Sequence, residues 1–315
     1  MAEKKKVILI TGACGFVGSN LYNRLSQDDN YVVMGCDNMA FGYIKNIGMD
    51  EIEDMKNLKA SFLFDDFDKF PQNILDQTDI LLHLGTSNII YAMTEPVKVF
   101  EVNAYKTIKL FEKFKGKIIY TSTTSVYGQA DIIPTSETAE PKLSNAYDQS
   151  KLIAEHFLRQ RGNYTTLRLS NVYGPNQRPE SAYCGVVGRL VAQALKGESL
   201  TVIGDGTQTR DYTFVDDVVN AVLLAIEQDA KNTEINIASG KEATILNLVD
   251  LISMEESIPK FGVNKGVVKR SIDKINRRCL LIEKAKYELG WSPKTSLTEG
   301  LRKTISWQLK EYHGK

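Results

Sequence analysis

Short apolar runs alternate with longer stretches of helical periodicity through the first half of the chain. Residues 7–11, 31–37, 58–64, 80–84, 117–121 and 164–169 read as strands, and 17–27, 95–114 and 146–161 read as the helices between them. Strand–helix–strand alternation predicts an α/β fold, a doubly wound parallel sheet with helices on both faces. The run Lys-Ile-Ile-Tyr at 117–120 lacks polar alternation, as expected of a strand covered on both sides. After Leu169 the pattern is less regular. A helix over 185–196, a strand over 200–203 and a turn at Gly204-Asp205-Gly206 come next. Val215, Val218, Val219, Val222 and Ile226 then recur at helical spacing, with Asp216 and Asp217 in the first turn, where the helix dipole favours anions. A strand at 234–237, a helix near 245–252 and a terminal helix to about 312 close the chain.

A chain of 315 residues exceeds the size at which one core keeps growing, so two lobes are expected. No low-complexity linker or internal repeat separates them, which predicts interleaved lobes. The first takes 1–168 with a return segment at about 209–238; a smaller α/β lobe takes 169–208 and 239–315. Lys+Arg and Asp+Glu both total 39, so no basic excess points to nucleic acid. No apolar stretch approaches the roughly 18 residues that span a bilayer, and residues 7–10 run into Thr11-Gly12 without a signal-peptide core. Cys14, Cys36, Cys184 and Cys279 are scattered, without metal spacing, and fit free thiols in a reducing cytoplasm. With three histidines, His83, His156 and His313, no metal site is expected.

The candidate chemistry starts at Gly12-Ala13-Cys14-Gly15-Phe16-Val17-Gly18, between the first strand and the first helix. A glycine pattern carries weight only in this strand–turn–helix setting. The first glycine permits a tight turn, the second lets backbone approach a pyrophosphate, and the third lets the helix pack close to the strand. The helix N-terminus then faces the negative charge. Asp37 closes the second strand, where an acid binds the adenosine ribose hydroxyls. Its charge would repel a ribose phosphate, so NAD is the expected cofactor over NADP.

Tyr147 and Lys151 stand four apart at the start of a helix and therefore share a face. A tyrosine, with an unperturbed pKa of about 10, is a poor base at neutral pH; a neighbouring ammonium stabilises its phenolate. Tyr-x-x-x-Lys alone is a weak signal. Here the pair follows the strand at 117–121 and the hydroxyl run Tyr120-Thr121-Ser122-Thr123-Thr124-Ser125, at the carboxyl end of a parallel strand, where α/β sheets bind ligands. His83 reads as packing, and Tyr127 as packing or cofactor support.

Motifs in fixed order then extend nearly end to end: TGACGFVG, the acid of CDN, HLG, EVNAYKT, STTSVYG, YDQSK, RLSNVYGPNQRP, GDGTQTRDYTFVDD and LGW near 290. In these the sequence resembles the extended short-chain dehydrogenase/reductase family, in its nucleotide-sugar epimerase/dehydratase branch. The resemblance implies a Rossmann-like domain binding NAD and a smaller lobe binding a nucleotide-diphosphate sugar. It implies a homodimer through the helices at 95–114 and 146–161. Thr123 resembles the residue that hydrogen-bonds the sugar hydroxyl being oxidised, Tyr147 resembles the base, and Lys151 lowers the pKa of that base and holds the nicotinamide ribose. Cofactor contacts are implied for Gly12, Cys14, Gly15, Phe16, Val17, Gly18, Asp37 and Asn38, for Asp66 and Phe67 beside the adenine, and for Leu84, Gly85, Thr86 and Thr121. Asn103 stands behind the site. Substrate contacts are implied for Ser87, Thr123, Thr124 and Ser125. Asn171 and Arg210 resemble residues that hold the diphosphate, with Arg277 or its neighbour Arg278 as a further contact, since a planar fork suits phosphate oxygens.

The positions after Thr123 discriminate among the branch's reactions. Family dehydratases follow it with Asp-Glu, decarboxylating members keep a Glu, and epimerase-reductases place a Cys at the position of Ser125. Thr124 and Ser125 offer none of these. The expectation is a 4-epimerase acting through a transient 4-keto sugar. A 4,6-dehydratase or reductase with its acid elsewhere, and a non-catalytic NAD-binding scaffold, are the alternatives.

Overall fold

The computed structural model describes residues 5–49, 62–181, 183–228, 231–267 and 275–313. Strand β1 (Lys6–Thr11) leads through the glycine turn into α1 (Phe16–Ser26), followed by β2 (Tyr31–Cys36) and β3 (Phe62–Leu63). The first part of the expected strand at 58–64, residues 58–61, lies outside the described residues. Next come α2 (Gln72–Asp76), β4 (Ile80–His83), α3 (Tyr91–Thr94), α4 (Pro96–Phe100) and α5 (Thr107–Lys113). The first half ends with β5 (Lys117–Thr123), α6 (Ala146–Arg161) and β6 (Tyr164–Leu169).

The central sheet has seven strands in the order β10-β6-β5-β4-β1-β2-β3, where β10 is Thr233–Ile237. β1 pairs in parallel with both β2 and β4, as β2 does with β3 and β4 with β5. The strand order turns back at β1, so the carboxyl ends of β1 and β4 flank a topological switch point, the place where such sheets bind ligands. Leu9, Leu81, Ile118, Phe111, Phe114 and Leu158 form one continuous core from the sheet and its covering helices. This is the Rossmann-like architecture that the alternating pattern implies.

The expected helix at 95–114 is helical throughout but not uniformly wound. Between α4 and α5, Glu101–Lys106 widen into a π-helical turn. The Thr107 hydroxyl donates to Val102 O at 3.0 Å across this turn. Such a bulge breaks the helical register, and periodicity alone does not reveal it.

The chain divides into two compact units, 1–123 with 145–168 and 219–235, and 124–144 with 169–218 and 236–315. The second therefore also takes 124–144, 209–218 and 236–238, which the sequence reading places in the first lobe. Its elements are β7 (Asn171–Tyr173), α7 (Val186–Leu195), β8 (Leu200–Ile203), β9 (Thr209–Phe214), the start of α8 (Val215–Glu227), β11 (Glu242–Thr244) and α9 (Ile245–Ser253). β12 (Val263–Val267), α10 (Glu283–Leu289) and α11 (Leu297–Gln308) complete it. β11, β9 and β7 form a three-stranded sheet, β12 pairs with β8, and α7, α9 and α11 pack on one another. Among the described residues no helix is long and apolar enough to cross a membrane, and no cluster of side chains could hold a metal ion.

Asp217 illustrates what spacing leaves unsaid. Beyond its place in the first turn of α8, its buried carboxylate accepts the backbone N–H groups of Lys294 and Thr295, each at 3.0 Å. The Trp291 indole N–H donates to its carbonyl oxygen at 2.9 Å. Asp217→Ala would orphan both backbone donors at once. We expect it to cost about 2 kcal/mol or more and lower the thermal midpoint by several degrees in a calorimetric melt; an unchanged melt would show that this clasp carries no stability.

Candidate active site

The glycine turn is shaped by what a side chain there would strike. Gly12 has φ +71°, the left-handed region, and a Cβ on it would stand 2.9 Å from Gly85 N. A Cβ on Gly18 would overlap Gly12 O, so α1 is drawn tight against the turn. The backbone N–H of Gly15 closes the turn on Gly12 O at 3.0 Å. Its residue caps α1 with no side chain over the helix N-terminus, and no acid occupies the first helical turn. Phe16 and Val17 open the helix behind it. An anion-sized cradle of backbone donors results.

Asp37, only 7% exposed, follows β2 and meets the turn. Its Oδ2 accepts the Cys14 N–H and its Oδ1 the Met39 N–H, each at 2.9 Å. Burial pushes its carboxyl up from the usual range, while these backbone donors pull it back. Beyond it, Asn38 Nδ2 donates to Asp66 Oδ1 at 2.6 Å, and Lys106 Nζ donates to Asp66 Oδ2 at 2.6 Å. The Lys106 hydrogen bond holds Asp66 below the carboxylate range. Phe67 packs beside Gly85, where its ring leaves no room for a Cβ.

The ends of β1 and β4 are joined through His83. Thr11 Oγ1 accepts the N–H groups of Leu84 and Gly85 at 3.2 and 3.1 Å and lies 2.8 Å from His83 Nδ1. His83 Nε2 lies 3.0 Å from Thr107 Oγ1, whose own proton goes to Val102 O. This network assigns the ring proton to Nε2. Burial first, and Lys151 second, hold the imidazole well below its usual pKa, so it is neutral. Asn103, in the π-turn, accepts from Ser87 N at 2.7 Å and from Thr86 Oγ1 at 2.9 Å through Oδ1. Its Nδ2 donates to Ser87 O at 2.9 Å and to Ser150 Oγ at 3.3 Å, pinning the loop after β4 to α6. Thr121 Oγ1 donates to His83 O at 3.1 Å.

α6 starts at Asn145, whose Oδ1 accepts the Asp148 N–H at 3.0 Å, and this cap sets where Tyr147 and Lys151 project. Tyr147 packs with Ala92 and Val99. Lys151 is 2% exposed, its Nζ 4.4 Å above the Tyr120 ring, and that ring stacks on His83 with centroids 5.8 Å apart. Lys151, Tyr120, His83 and Thr11 thus form an unbroken path from the tyrosine–lysine helix to the glycine turn. Burial pulls the Lys151 ammonium down to about 7, against the opposing pull of Glu155. No carboxylate pairs with it among the described residues. β5 extends to Thr123, two residues past the expected end, so this hydroxyl stands at the strand's last position and α6 packs on the same strand.

The remaining predicted contacts lie in the second unit. Thr124 and Ser125 are buried in a short 3-10 turn. Asn171 and Arg210 fall on adjoining strands, with Asn171 opposite Tyr212 and Arg210 opposite Ala243. Arg210 Nη1 donates to Thr209 O at 2.7 Å. Arg277 is engaged by Glu242, its Nε 3.2 Å from Oε2 and its Nη2 closer still to Oε1. Arg278, the neighbour left open by sequence, keeps Nε and Nη2 buried. Spacing overlooked Thr11, the hub of the β1–β4 junction, and Glu155, one turn beyond Lys151. Extending the i, i+4 pattern of Tyr147 and Lys151 by one more step would have found the second.

A Rossmann-type sheet with these elements at its switch point defines a dinucleotide-binding protein, and the cradle fits NAD: bare glycine backbone for a pyrophosphate, a buried acid for a ribose diol. Residues 8–238 match the NAD dependent epimerase/dehydratase family. The chain is similar to a crystal structure of UDP-glucose 4-epimerase with UDP-glucose from the hyperthermophilic eubacterium Thermotoga maritima, at 32% identity and a TM-score of 0.84, covering 97% of this chain and 99% of that one. A UDP-glucuronic acid 4-epimerase from Bacillus cereus, in complex with UDP-glucuronic acid and NAD, gives 29% and 0.85, covering 97% and 100%. UDP-glucuronic acid decarboxylase 6 of Arabidopsis thaliana is 31% identical over 93% of this chain and 86% of its own. The chain belongs to the NAD dependent epimerase/dehydratase family.

Asp37→Asn keeps an acceptor for the turn but removes the charge. We expect NAD affinity to fall by roughly tenfold or more while NADP affinity changes little, measured by calorimetric titration. An unchanged ratio of the two affinities would remove this acid from the ribose.

Proposed function

We propose that the protein epimerises a nucleotide-diphosphate sugar, at C4, through a transient 4-keto sugar. The observation that carries this is the buried Lys151, one helical turn from Tyr147 and above the Tyr120 ring of an NAD-type sheet, with hydroxyls alone at 124 and 125. Bound NAD supplies a reversible acceptor for the hydrogen on the sugar carbon. The protein's side chains manage the proton. Thr123 orients the sugar hydroxyl, and the Tyr147 phenolate takes its proton and later returns it. The Lys151 ammonium stabilises that phenolate and holds a ribose hydroxyl. Asn171 and Arg210, with Arg277 or Arg278, hold the diphosphate in this reading. Ser87, Thr124 and Ser125 contact the sugar.

Elimination of water or of carbon dioxide needs an acid or a further base beside the keto sugar, and neither 124 nor 125 supplies one. The protein acts in the cytoplasm, in keeping with four buried free thiols. It works as a homodimer, for which Val97 at 81%, Tyr105 at 65% and Ile153 at 43% exposure offer an apolar face on the helices at 95–114 and 146–161.

Incubation with UDP-glucose, UDP-galactose, UDP-N-acetylglucosamine and UDP-glucuronic acid, read by mass spectrometry and NMR, should give C4 epimers at unchanged mass. Tyr147→Phe should keep NAD and lose roughly 10²–10⁴-fold in turnover. Loss of water or carbon dioxide would overturn the reading, as would an undiminished Tyr147→Phe. Sedimentation should give twice the chain mass, and Tyr105→Glu should halve it; a monomeric wild type would dismiss the dimer.

A further inference from the structure

Tyr147, Lys151 and Glu155 recur one helical turn apart on α6, which stacks them along one face. Glu155 is 0% exposed and Arg168, on β6, is 2% exposed. Arg168 donates from Nε at 3.1 Å to Oε1 and from Nη2 at 2.6 Å to Oε2, a forked pair that fixes the carboxylate plane. Ser122 Oγ, between Thr121 and Thr123 on β5, donates to Oε1 as well. A second guanidinium, Arg159, stands 3.6 Å from Oε2 and shares itself with Glu234. Tyr164 in turn donates to Glu234 at 2.9 Å.

None of these groups is required to cradle a dinucleotide or to carry a substrate proton. A buried ion pair is also a poor way to stabilise a core, because desolvation of both charges opposes their attraction. Its position suggests a different use. We propose that Glu155 is a positioning residue for the Tyr147–Lys151 couple: held in place by Arg168 and Ser122 one helical turn beyond Lys151, its carboxylate supplies the negative charge on that amine's own helix face.

The groups around Lys151 leave that task to Glu155. From β5 it meets the Tyr120 ring, and from β4 the neutral His83 lies behind that ring. From its own helix its neighbours are the Tyr147 phenol, Asp148, whose Oδ2 accepts from Asn145 Nδ2 at 2.7 Å at the start of the helix, and Glu155, and Glu155 is the group that opposes burial at Lys151. Arg159 stands one helical turn beyond Glu155, and Arg168 engages both of its oxygens. A guanidinium does not give up its proton in a protein, so positive charge left unbalanced in this cluster comes off Lys151. Ser122 adds a mechanical link, because it ties the strand end that bears Thr123 to the helix that bears the couple.

The inference rests on the reading of Tyr147 and Lys151 as the proton-handling couple, and its test needs neither substrate nor turnover. In protein labelled with [ε-13C]lysine, the Lys151 resonance is identified by its loss in Lys151→Arg and followed through a pH titration. Its midpoint should lie near 7 in the wild type. Glu155→Gln, which keeps the shape and the Ser122 acceptor, should lower the midpoint by roughly one to two pH units. Arg168→Gln, which unbalances the carboxylate, should raise it. The opposed directions separate charge from packing; if one variant does not fold, a shift in the expected direction in the other supports the proposal and an absent or reversed one overturns it. A midpoint that stays in place, or moves the same way in both while only stability falls, would reduce Glu155 to a core ion pair and overturn the proposal. An inactive protein that shows the opposed shifts would unseat the epimerase reading and leave this one standing.

Discussion

Lys151, sunk to 2% exposure with no carboxylate paired to it among the described residues, is the feature around which the first unit is arranged. Its setting is built in succession from three strands. β5 supplies the Tyr120 ring as a cation-binding face, β4 supplies a neutral imidazole that backs the ring, and β1 supplies the threonine hydroxyl that fixes that imidazole. The last of these is also the residue before Gly12. A cationic side chain on one element and an anion cradle on another therefore share a continuous set of contacts. Any shift that loosens His83 would be felt both at Lys151 and at the glycine turn.

Much of this was legible because it follows from local rules. Strand–helix alternation gives the sheet, a glycine turn between strand and helix gives the cradle, and i, i+4 spacing gives Tyr147 and Lys151 a common face. What escaped the sequence depends on partners remote along the chain. Asn103 was visible as a residue behind the site, but its four hydrogen bonds require a π-turn that a 3.6-residue period hides. Arg277 and Arg278 are indistinguishable by composition. Glu242, on a strand more than thirty residues earlier, engages the first of them. Asp217 looked like a charge for the helix dipole, whereas its carboxylate closes on the backbone at 294 and 295.

The Glu155–Arg168 pair raises a question of economy, since apolar residues could fill its space at no loss of stability. A hydrocarbon could not, however, set the charge of a neighbour. Glu155 and Glu234 are matched by Arg159 and Arg168, so the ion-pair cluster on the Tyr147–Lys151 helix is balanced within itself.

The Tyr147–Lys151 couple also bears on the choice among reactions in this family. On the proposed reading, a site that holds one phenolate and one ammonium moves a single proton reversibly, and reversibility is what an epimerisation needs. Elimination and decarboxylation run downhill after oxidation, and they call for another acid to receive or deliver a second proton or to steer the departing group. At 124 and 125 the chain offers hydroxyls whose protons are too weakly acidic for that task near neutrality. Hydroxyls are also good hydrogen-bonding partners for a sugar, and in the proposed reaction they would bring no competing acid to a keto intermediate. The proposal thus needs two things of the sequence: no second acid after Thr123, and one exchangeable proton at the Tyr147–Lys151 couple.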